Sequence, residues 1–257
     1  MKPLFGKVGV FGVGLLGGSV ALGIKERFLA EEVHAYDQDP MALEKALFLG
    51  VADRVHTEVG PWVGELDLGI LAAPVGALAE LGKALAPWAH PDSLWTDVGS
   101  VKAKVVAALE GLLPHYLGGH PMAGSERAGV ENAHAGLLQN AVWVLTPTER
   151  TSPRAREGVR GLVEALGAYP LEMPPGRHDE LVARVSHLPY LLAVALNRMV
   201  AQSPHRDLLM FLAAFLIAGV IMAFGEAGAR ASEAIFAKVM SPGRAPEFVK
   251  LSTATVR

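Results

Sequence analysis

The pattern of apolar and polar positions changes along the chain. In the first two thirds, short apolar runs alternate with segments whose apolar residues recur at helical spacing. The runs predict strands at residues 7–13, 33–36, 66–73, 93–98, 141–145 and 169–173, and the periodic segments predict helices at 15–27, 40–49, 101–112 and 153–166. Strands that alternate with helices in this way indicate βαβ units and a mostly parallel sheet.

The pattern becomes purely helical near residue 175. Pro174, Pro175 and Gly176 interrupt the last strand–helix alternation, and only helical periodicity follows. We therefore predict an α/β domain over residues 1–174 and an all-helical domain over residues 175–257.

One helical segment, residues 208–225, has eighteen residues without a charge. This is just long enough for a membrane span. A helix buried on all sides, in a helical core or a subunit interface, has the same composition. We favour the buried helix, because no second such segment and no flanking basic cluster accompany it.

Composition narrows the classes of function. The net charge is −3 and the isoelectric point is near 6.3, so neither nucleic acid nor a membrane surface is an expected partner. The chain has no cysteine, which excludes disulfides, thiolate metal sites and cysteine nucleophiles, and no metal is predicted. The N-terminus has no signal-peptide pattern, so we expect a cytoplasmic protein.

The strongest local motif is Gly12-Val13-Gly14-Leu15-Leu16-Gly17, which matches G-x-G-x-x-G. It follows a predicted strand and opens a predicted helix, the context in which this motif binds the pyrophosphate of a dinucleotide. Asp37 ends the next predicted strand, where an acid accepts the ribose hydroxyls of NAD and repels the 2′-phosphate of NADP. NAD is therefore the predicted cofactor, and NADP is less favoured.

Other predicted strands should bring further residues to the same edge of the sheet. Ala73 and Pro74 end one strand, and the small Ala73 would let the cofactor lie close. Ser100 fits the N-cap of a helix that begins at residue 101, although its hydroxyl could also face the nicotinamide. Lys102 is predicted to be a solvated residue of the first helical turn.

His120 lies in the stretch GGHPMAGSERAG, which we predict to be a loop at that edge. Imidazole titrates near neutral pH, so it can take the hydroxyl proton when a carbinol loses hydride. A structural or merely exposed histidine is the alternative, and the residues alone leave the two interpretations balanced.

Several segments together resemble one family. GVGLLGGS, TDVGSVK, GGHPMAGSERAG and HDELVARVSHLP occur in the order found in prephenate and arogenate dehydrogenases. The resemblance implies an NAD(P)-binding Rossmann domain, followed by an all-helical C-terminal domain that forms a homodimer. It also implies a small-molecule substrate and an oxidative decarboxylation in tyrosine biosynthesis, in which hydride leaves the ring carbon bearing the hydroxyl and carbon dioxide leaves the opposite carbon.

The resemblance assigns roles to individual residues. His120 would accept the ring-hydroxyl proton, and Ser100 would hold this histidine beside the nicotinamide. Substrate-binding positions are expected at Ser125, Glu126, Ser186, His187 and Tyr190. Of these, Glu126 matches an acid near the site entrance, and Ser186 and His187 fall on a helix that closes over the substrate, which Pro189 would kink or end.

The chain also departs from the family pattern. Family members that act on prephenate often continue SHLP with a second histidine, where this chain has Tyr190. The G-F-R-D-x-T-R-like segment, which in the family supplies an arginine for the ring carboxylate, is absent. Residues 202–257 match the family pattern poorly, and either sequence divergence or a reading-frame error would produce such a mismatch. Arg184 and Arg230 are candidates, by position only, for binding a substrate carboxylate.

Other functions fit parts of the pattern. A β-hydroxyacid dehydrogenase or imine reductase has a similar plan, but the catalytic lysine of the hydroxyacid dehydrogenases has no counterpart in residues 178–237. A catalytically impaired NAD-binding dimer would explain the unmatched C-terminus. Arogenate is the close alternative to prephenate as substrate.

Overall fold

The computed structural model of the chain describes residues 3–125 and 127–205. Two compact units divide the chain, Met1–Leu181 and Val182–Arg257. The described residues contain these strands, all in the first unit: β1 Phe5–Phe11, β2 Ala30–Tyr36, β3 Arg54–His56, β4 Leu68–Leu71, β5 Leu94–Asp97, β6 Tyr116–Pro121, β7 Val142–Thr146 and β8 Tyr169–Glu172. The α-helices are α1 Leu15–Glu26, α2 Pro40–Phe48, α3 Leu78–Leu85, α4 Ala103–Leu109, α5 Pro153–Ala165, α6 Pro175–Val182 and α7 Leu188–Ala201.

The eight strands form one sheet in the order β3-β2-β1-β4-β5-β6-β7-β8. Neighbouring strands run parallel except β6 and β7, which are antiparallel, so the predicted mostly parallel sheet is confirmed. The chain order reverses between β1 and β4. In open α/β sheets, ligands bind outside the carboxyl ends of the strands at such a switch point.

Helices cover both faces of the sheet. One buried cluster joins the strands to α1, α2 and α5, through residues such as Ile24, Leu43 and Leu162. The second cluster joins the other face to α3 and α4, through residues such as Leu85 and Leu109. Because both faces are buried, the strands are nearly continuous apolar runs, which is why most of them could be predicted.

Three elements of the first unit were not predicted: β3, α3 and β6. The expected loop around His120 is wrong, because Tyr116–Pro121 is a strand between β5 and β7. Its two glycines are needed for packing: a Cβ on Gly118 would lie 2.6 Å from Oγ1 of Thr146, and one on Gly119 would lie 2.6 Å from Nε1 of Trp143. Glycine is a poor strand former, so the local sequence gave no strand signal here.

Residues 175–201 are helical, and residues 206–257 of the predicted helical domain lie outside the described residues. A π-helical turn at Ala183–His187 separates α6 from α7. Pro189 lies in the first turn of α7, directly after the π-helical turn. His187 and Leu188 keep helical dihedral angles, so the proline falls at a junction within a continuous helical segment.

Among residues 3–125 and 127–205, no helix is long and apolar enough to cross a membrane. The apolar run at 208–225 lies outside the described residues, as do Glu126 and Arg230.

Candidate active site

The predicted site segments form a row along one edge of the sheet. Each follows, or ends, a strand of the parallel set: Asp37 follows β2, Gly12 follows β1, Ala73 follows β4, Ser100 follows β5 and His120 lies near the end of β6. Three strand spacings separate β1 from β6, roughly 14 Å. The sheet order therefore brings the segments together, as predicted, although they span more than 100 residues of sequence.

The glycine motif forms the turn between β1 and α1. Gly12 has a φ of +106°, and a Cβ there would lie 2.7 Å from the carbonyl of Ala72. A Cβ on Gly17 would lie 1.9 Å from the carbonyl oxygen of Gly12, so this glycine lets the helix approach the strand. A Cβ on Gly14 would meet nothing within 4 Å. Space beside the backbone is thus open at the position where a pyrophosphate would approach.

The first turn of α1 provides donors for an anion. The N-cap Gly14 has no side chain to cap the helix, and the first turn contains no acidic residue. The N–H groups at this end are left to a ligand or to water, and the helix dipole adds positive potential. These features fit the phosphates of a dinucleotide.

Asp37 is tied to the glycine turn. Its carboxylate accepts hydrogen bonds from the N–H of Val13 at 2.9 Å and from the N–H of Asp39 at 3.0 Å. These bonds fix the carboxylate beside the turn at the end of β2. Ala73 and Pro74 lie after β4, where Ala73 is partly buried and Pro74 is exposed.

The predicted N-cap role of Ser100 is wrong. Helix α4 begins at Ala103, and Ser100 lies partly buried in the bend that precedes it. The cap comes from a distant residue: the carboxylate of Asp179 accepts the N–H of Lys102 at 2.7 Å and the N–H of Ala103 at 2.9 Å. A negative side chain at this end also interacts favourably with the helix dipole.

The predicted solvation of Lys102 is also wrong. Its side chain is fully buried, forms an ion pair with Asp97 and donates a hydrogen bond to the carbonyl of Gly119 at 2.7 Å. Burial lowers the pKa of Lys102, against the opposing effect of Asp97. The buried pair joins the end of β5 to the residue next to His120.

Asp97 is the hub of this buried network. Besides Lys102, it accepts hydrogen bonds from the hydroxyl of Tyr116 at 2.7 Å and from the N–H groups of Gly99 and Gly119. Burial, reinforced by Asp97, raises the pKa of Tyr116 well above its usual value, so this hydroxyl stays protonated and donates. The network fixes the backbone just before Ser100 and just before His120.

His120 is partly buried and faces a second histidine. Its Nδ1 lies 2.9 Å from Nε2 of His178, and the two rings meet edge to face. His178 is fully buried, and its Nδ1 lies 2.8 Å from Oδ1 of Asp179. A hydrogen-bonded chain of three side chains thus ends on His120.

The segment after His120 returns across helix α1. Residues 130–138 pack on this helix, where the N–H of His134 donates to Ser19 at 3.1 Å and a Cβ on Gly18 would touch Ala133. Ser125, in the intervening loop, is exposed and accepts from the N–H of Arg127 at 3.1 Å. The neighbouring Glu126 lies outside the described residues.

The other predicted substrate residues belong to the second unit. Ser186 and His187 lie in the π-helical turn, where Ser186 is exposed and His187 is partly buried. Tyr190 lies in the first turn of α7 and is 69% exposed. Their roles stay predictions.

Four residues of the site were missed as contributors. Asp97 and Lys102 carry a weak local signal, since an acid that ends an apolar strand five residues before a lysine can form a buried pair. His178 and Asp179 open the segment HDELVARVSHLP of the family resemblance, but nothing local indicates that they reach His120 and α4 from 58 and 77 residues away.

Fold and site together define the first unit as a Rossmann-type nucleotide-binding domain. Comparison with known proteins agrees: residues 20–170 match the family model described as prephenate dehydrogenase, nucleotide-binding domain. The chain belongs to the prephenate dehydrogenase family.

Two curated relatives illustrate the similarity. Prephenate dehydrogenase of Bacillus subtilis is 36% identical over 200 residues, which cover 76% of this chain and 53% of that protein. Cyclohexadienyl dehydrogenase of Zymomonas mobilis is 32% identical over 200 residues, which cover 77% of this chain and 68% of that protein. The chain thus spans about half the length of the first relative and two thirds of the second.

Solved structures show the same fold. Prephenate dehydrogenase of Aquifex aeolicus, in complex with hydroxyphenyl propionate and NAD+, superposes with a TM-score of 0.74 at 34% identity and covers 78% of this chain and 71% of its own. Arogenate dehydrogenase of Synechocystis gives 0.69 at 27% identity and covers 96% of this chain and 83% of its own.

Proposed function

We propose that the chain catalyses the NAD-dependent oxidative decarboxylation of prephenate to 4-hydroxyphenylpyruvate, in tyrosine biosynthesis. The observation that carries the proposal is the position of His120. It lies on the same sheet edge as the glycine turn, roughly 14 Å along it, with Nδ1 hydrogen-bonded to His178. Membership of the prephenate dehydrogenase family supports the choice of reaction.

NAD fits the glycine turn and Asp37. The open space beside Gly14 and the uncapped start of α1 would hold the pyrophosphate, with Val13, Leu15 and Leu16 supplying backbone around it. Asp37 would accept the adenosine ribose hydroxyls and disfavour the 2′-phosphate of NADP. The NAD+ complex of the Aquifex aeolicus enzyme supports this cofactor.

The bound nicotinamide would supply the hydride acceptor for the ring carbon that bears the hydroxyl. His120 takes the hydroxyl proton as that carbon becomes a carbonyl. The bond to the ring carboxylate then breaks, carbon dioxide leaves, and its electron pair enters the ring and makes it aromatic. The former carbonyl oxygen becomes a phenolate, to which His120 returns the proton, so the histidine ends each turnover unchanged.

Arogenate is the alternative substrate. The similarity to the Synechocystis arogenate dehydrogenase supports it, and so does Tyr190, which replaces the second histidine frequent in prephenate-specific members. Both substrates carry a ring carboxylate that needs a cation or several donors. Arg184 is the candidate among the described residues, and Ser125, Glu126, Ser186 and His187 stay predicted substrate-binding positions.

The assembly follows from the same proposal. Residues 1–174 would bind NAD, and residues 175–257 would form a helical domain for substrate binding and homodimerisation. Helix α7 supports this role, because it exposes apolar side chains, among them Leu191 and Met199, 62% and 69% exposed. We expect a cytoplasmic enzyme that has no nucleic-acid or membrane partner.

A paired substrate assay tests the function. Purified protein is mixed with prephenate, with arogenate or with neither, each with NAD and with NADP, and the reduced cofactor is followed by absorbance. NADH formation from prephenate, faster than from arogenate, is the expected result. Binding of NAD without reduction by either compound would instead identify a catalytically impaired NAD-binding protein.

His120→Asn tests the proton acceptor. We expect kcat to fall by roughly 10²–10⁴-fold, the usual contribution of a general base, while the Kd for NAD stays within about twofold. Stopped-flow or steady-state kinetics give the first quantity, and calorimetry gives the second. Equal losses of both would mean that His120 shapes the cofactor site rather than moving a proton.

A further inference from the structure

The side chains of His178 and Asp179 form a continuous series of hydrogen bonds that leads to His120. His178 contacts His120 at 2.9 Å through Nε2, and it contacts Asp179 at 2.8 Å through Nδ1. His178 is fully buried, so water does not compete for either contact. The chain begins on α6 and ends on the ring that we propose as proton acceptor.

Asp179 is the ionised end of this chain. Partial burial alone would raise the pKa of its carboxyl, but the N–H of Lys102, the ring of His178 and the N–H of Ala103 together hold the pKa below its usual value. A carboxylate only accepts hydrogen bonds. The hydrogen between the two groups therefore belongs to Nδ1 of His178.

The remaining hydrogen positions follow from this one. A neutral His178 with its hydrogen on Nδ1 has a lone pair on Nε2, so it accepts from Nδ1 of His120. Neutral His120 then carries its hydrogen on Nδ1 and a lone pair on Nε2. The hydrogen-bonded chain selects one of the two tautomers.

We infer that His178 and Asp179 are positioning residues that hold His120 in the Nδ1–H tautomer, so that Nε2 takes the hydroxyl proton of the substrate. The inference rests on the proposed function for the identity of that proton's donor. The proton moves from the substrate oxygen to Nε2 and later returns to the phenolate oxygen. His178 and Asp179 exchange no proton with the substrate.

The same chain stabilises the protonated ring. When Nε2 of His120 gains a proton, Nδ1–H still donates to His178, and the negative charge of Asp179 lies at the end of the chain. In a partly buried site such a charge favours the imidazolium form. The chain should therefore also raise the pH at which His120 titrates.

Two charged groups near the chain have ionic partners of their own. The ammonium of Lys102 reaches the carbonyl of Gly119, next to His120, but its charge is matched by Asp97. On α6, Arg177 and Glu180 pair with each other at 2.9 Å on the exposed side. The carboxylate of Asp179 is the charge that the hydrogen bonds connect to His120.

The tautomer can be measured directly by NMR on ligand-free protein labelled with ¹⁵N-histidine. The His120 signals are assigned from their loss in His120→Asn, and long-range ¹H–¹⁵N correlations show which ring nitrogen carries the hydrogen. We expect the hydrogen on Nδ1, the opposite of the main form of free histidine. A hydrogen on Nε2 of neutral His120 would overturn the inference.

Two variants test the chain behind the ring. Asp179→Asn removes the negative charge but keeps one amide oxygen for capping α4, and His178→Gln cuts the link while its amide oxygen can still accept from His120. In both, we expect His120 to titrate at lower pH by NMR. The acid limb of kcat/KM should shift in the same direction, with KM within about threefold and kcat lower by about 10–100-fold, the size of loss known when the hydrogen-bonding partner of a metal-ligating histidine is removed.

Asp53→Asn is the matched control, because Asp53 also accepts a backbone N–H, from Val33 at 2.8 Å, and pairs with a lysine, Lys25. It should leave the His120 titration and the pH profile unchanged. An unchanged titration in Asp179→Asn, in protein that melts cooperatively, contradicts the inference. Because the NMR readouts need no turnover, an inactive protein with the Nδ1–H tautomer would overturn the proposed function but leave the positioning of the His120 tautomer by His178 and Asp179 standing.

Discussion

The nucleotide-binding end and the reactive end of the sheet edge differ in the kind of residue that forms them. At β1 and β2, the turn from Gly12 to Gly17 works through the absence of side chains, and Asp37 contributes a carboxylate that accepts the N–H of Val13. At β5 and β6, the site is built from charged and titratable side chains, most of them buried, that contact one another across the fold. The nucleotide end depends on shape and the reactive end on electrostatics.

This difference predicts how each end fails. A side chain of similar shape but without charge should be tolerated poorly at the reactive end, because it leaves a buried partner unmatched. At the nucleotide end, a single added methyl group should matter more than any change of charge among the surrounding residues. The four substitutions below test these two expectations, from the largest expected effect to the smallest.

Lys102→Met should have the largest effect. It keeps the length of the side chain but leaves Asp97 charged in a fully buried position, which typically costs about 3–5 kcal/mol of the free energy of unfolding. Urea unfolding measures this loss. The matched control is Lys83→Met, an exposed lysine paired with Glu80 at 2.8 Å, for which about 0.5 kcal/mol or less is expected. If the two variants lose similar amounts of the free energy of unfolding, the buried pair stabilises the fold no more than an exposed one.

Gly17→Ala should have the next largest effect, through shape alone. Its Cβ would lie 1.9 Å from the carbonyl oxygen of Gly12, so the turn or the helix must shift, at a cost of about 1–3 kcal/mol. NAD affinity, measured by calorimetry, should fall with it.

Gly161→Ala is the control for a glycine within a helix. A Cβ at Gly161 in α5 would meet nothing within 4 Å, so alanine should stabilise the protein by about 0.5–1 kcal/mol. If both alanine variants gain stability, the close contact at Gly17 is not a constraint.

Gly14→Ala separates binding from folding. Gly14 has a φ of −73° that alanine adopts freely, and the added Cβ has open space in the ligand-free protein. We therefore expect an unchanged melting temperature but NAD binding weaker by about tenfold, or 1.4 kcal/mol. Unchanged affinity would place the pyrophosphate elsewhere.

The same contrast explains what the sequence could predict. The glycine turn and Asp37 lie in one strand–turn–helix–strand segment, so the local sequence is enough to recognise them as a nucleotide-binding motif. The buried parallel strands are also recognisable, because they are nearly continuous apolar runs. Parallel strands have their carboxyl ends at the same edge of a sheet, where open α/β sheets bind ligands, which is why the segments were expected at one edge.

The reactive end could be predicted only in part. His120 was singled out, but its strand was missed, because glycine and proline are untypical of strands. The glycines are needed here since a Cβ would collide with Trp143 or Thr146 on the neighbouring strand. Lys102 was expected in solvent, since lysine is rarely buried unless it is paired, and its partner is recognisable only in three dimensions. The cap of α4 was likewise assigned to the local Ser100, because the true cap, Asp179, is distant in sequence and adjacent only in three dimensions.

Asp37→Asn should have the smallest effect and tests the one charge at the nucleotide end. The amide oxygen can still accept from Val13, so the turn should keep its shape, while the negative charge that disfavours a 2′-phosphate is lost. We expect the ratio of kcat/KM for NAD over NADP to fall by about fivefold, corresponding to about 1 kcal/mol. Glu44→Gln removes a charge from the following helix and should leave the ratio unchanged. If both variants change the ratio equally, the preference for NAD comes from the overall charge of this region and not from Asp37.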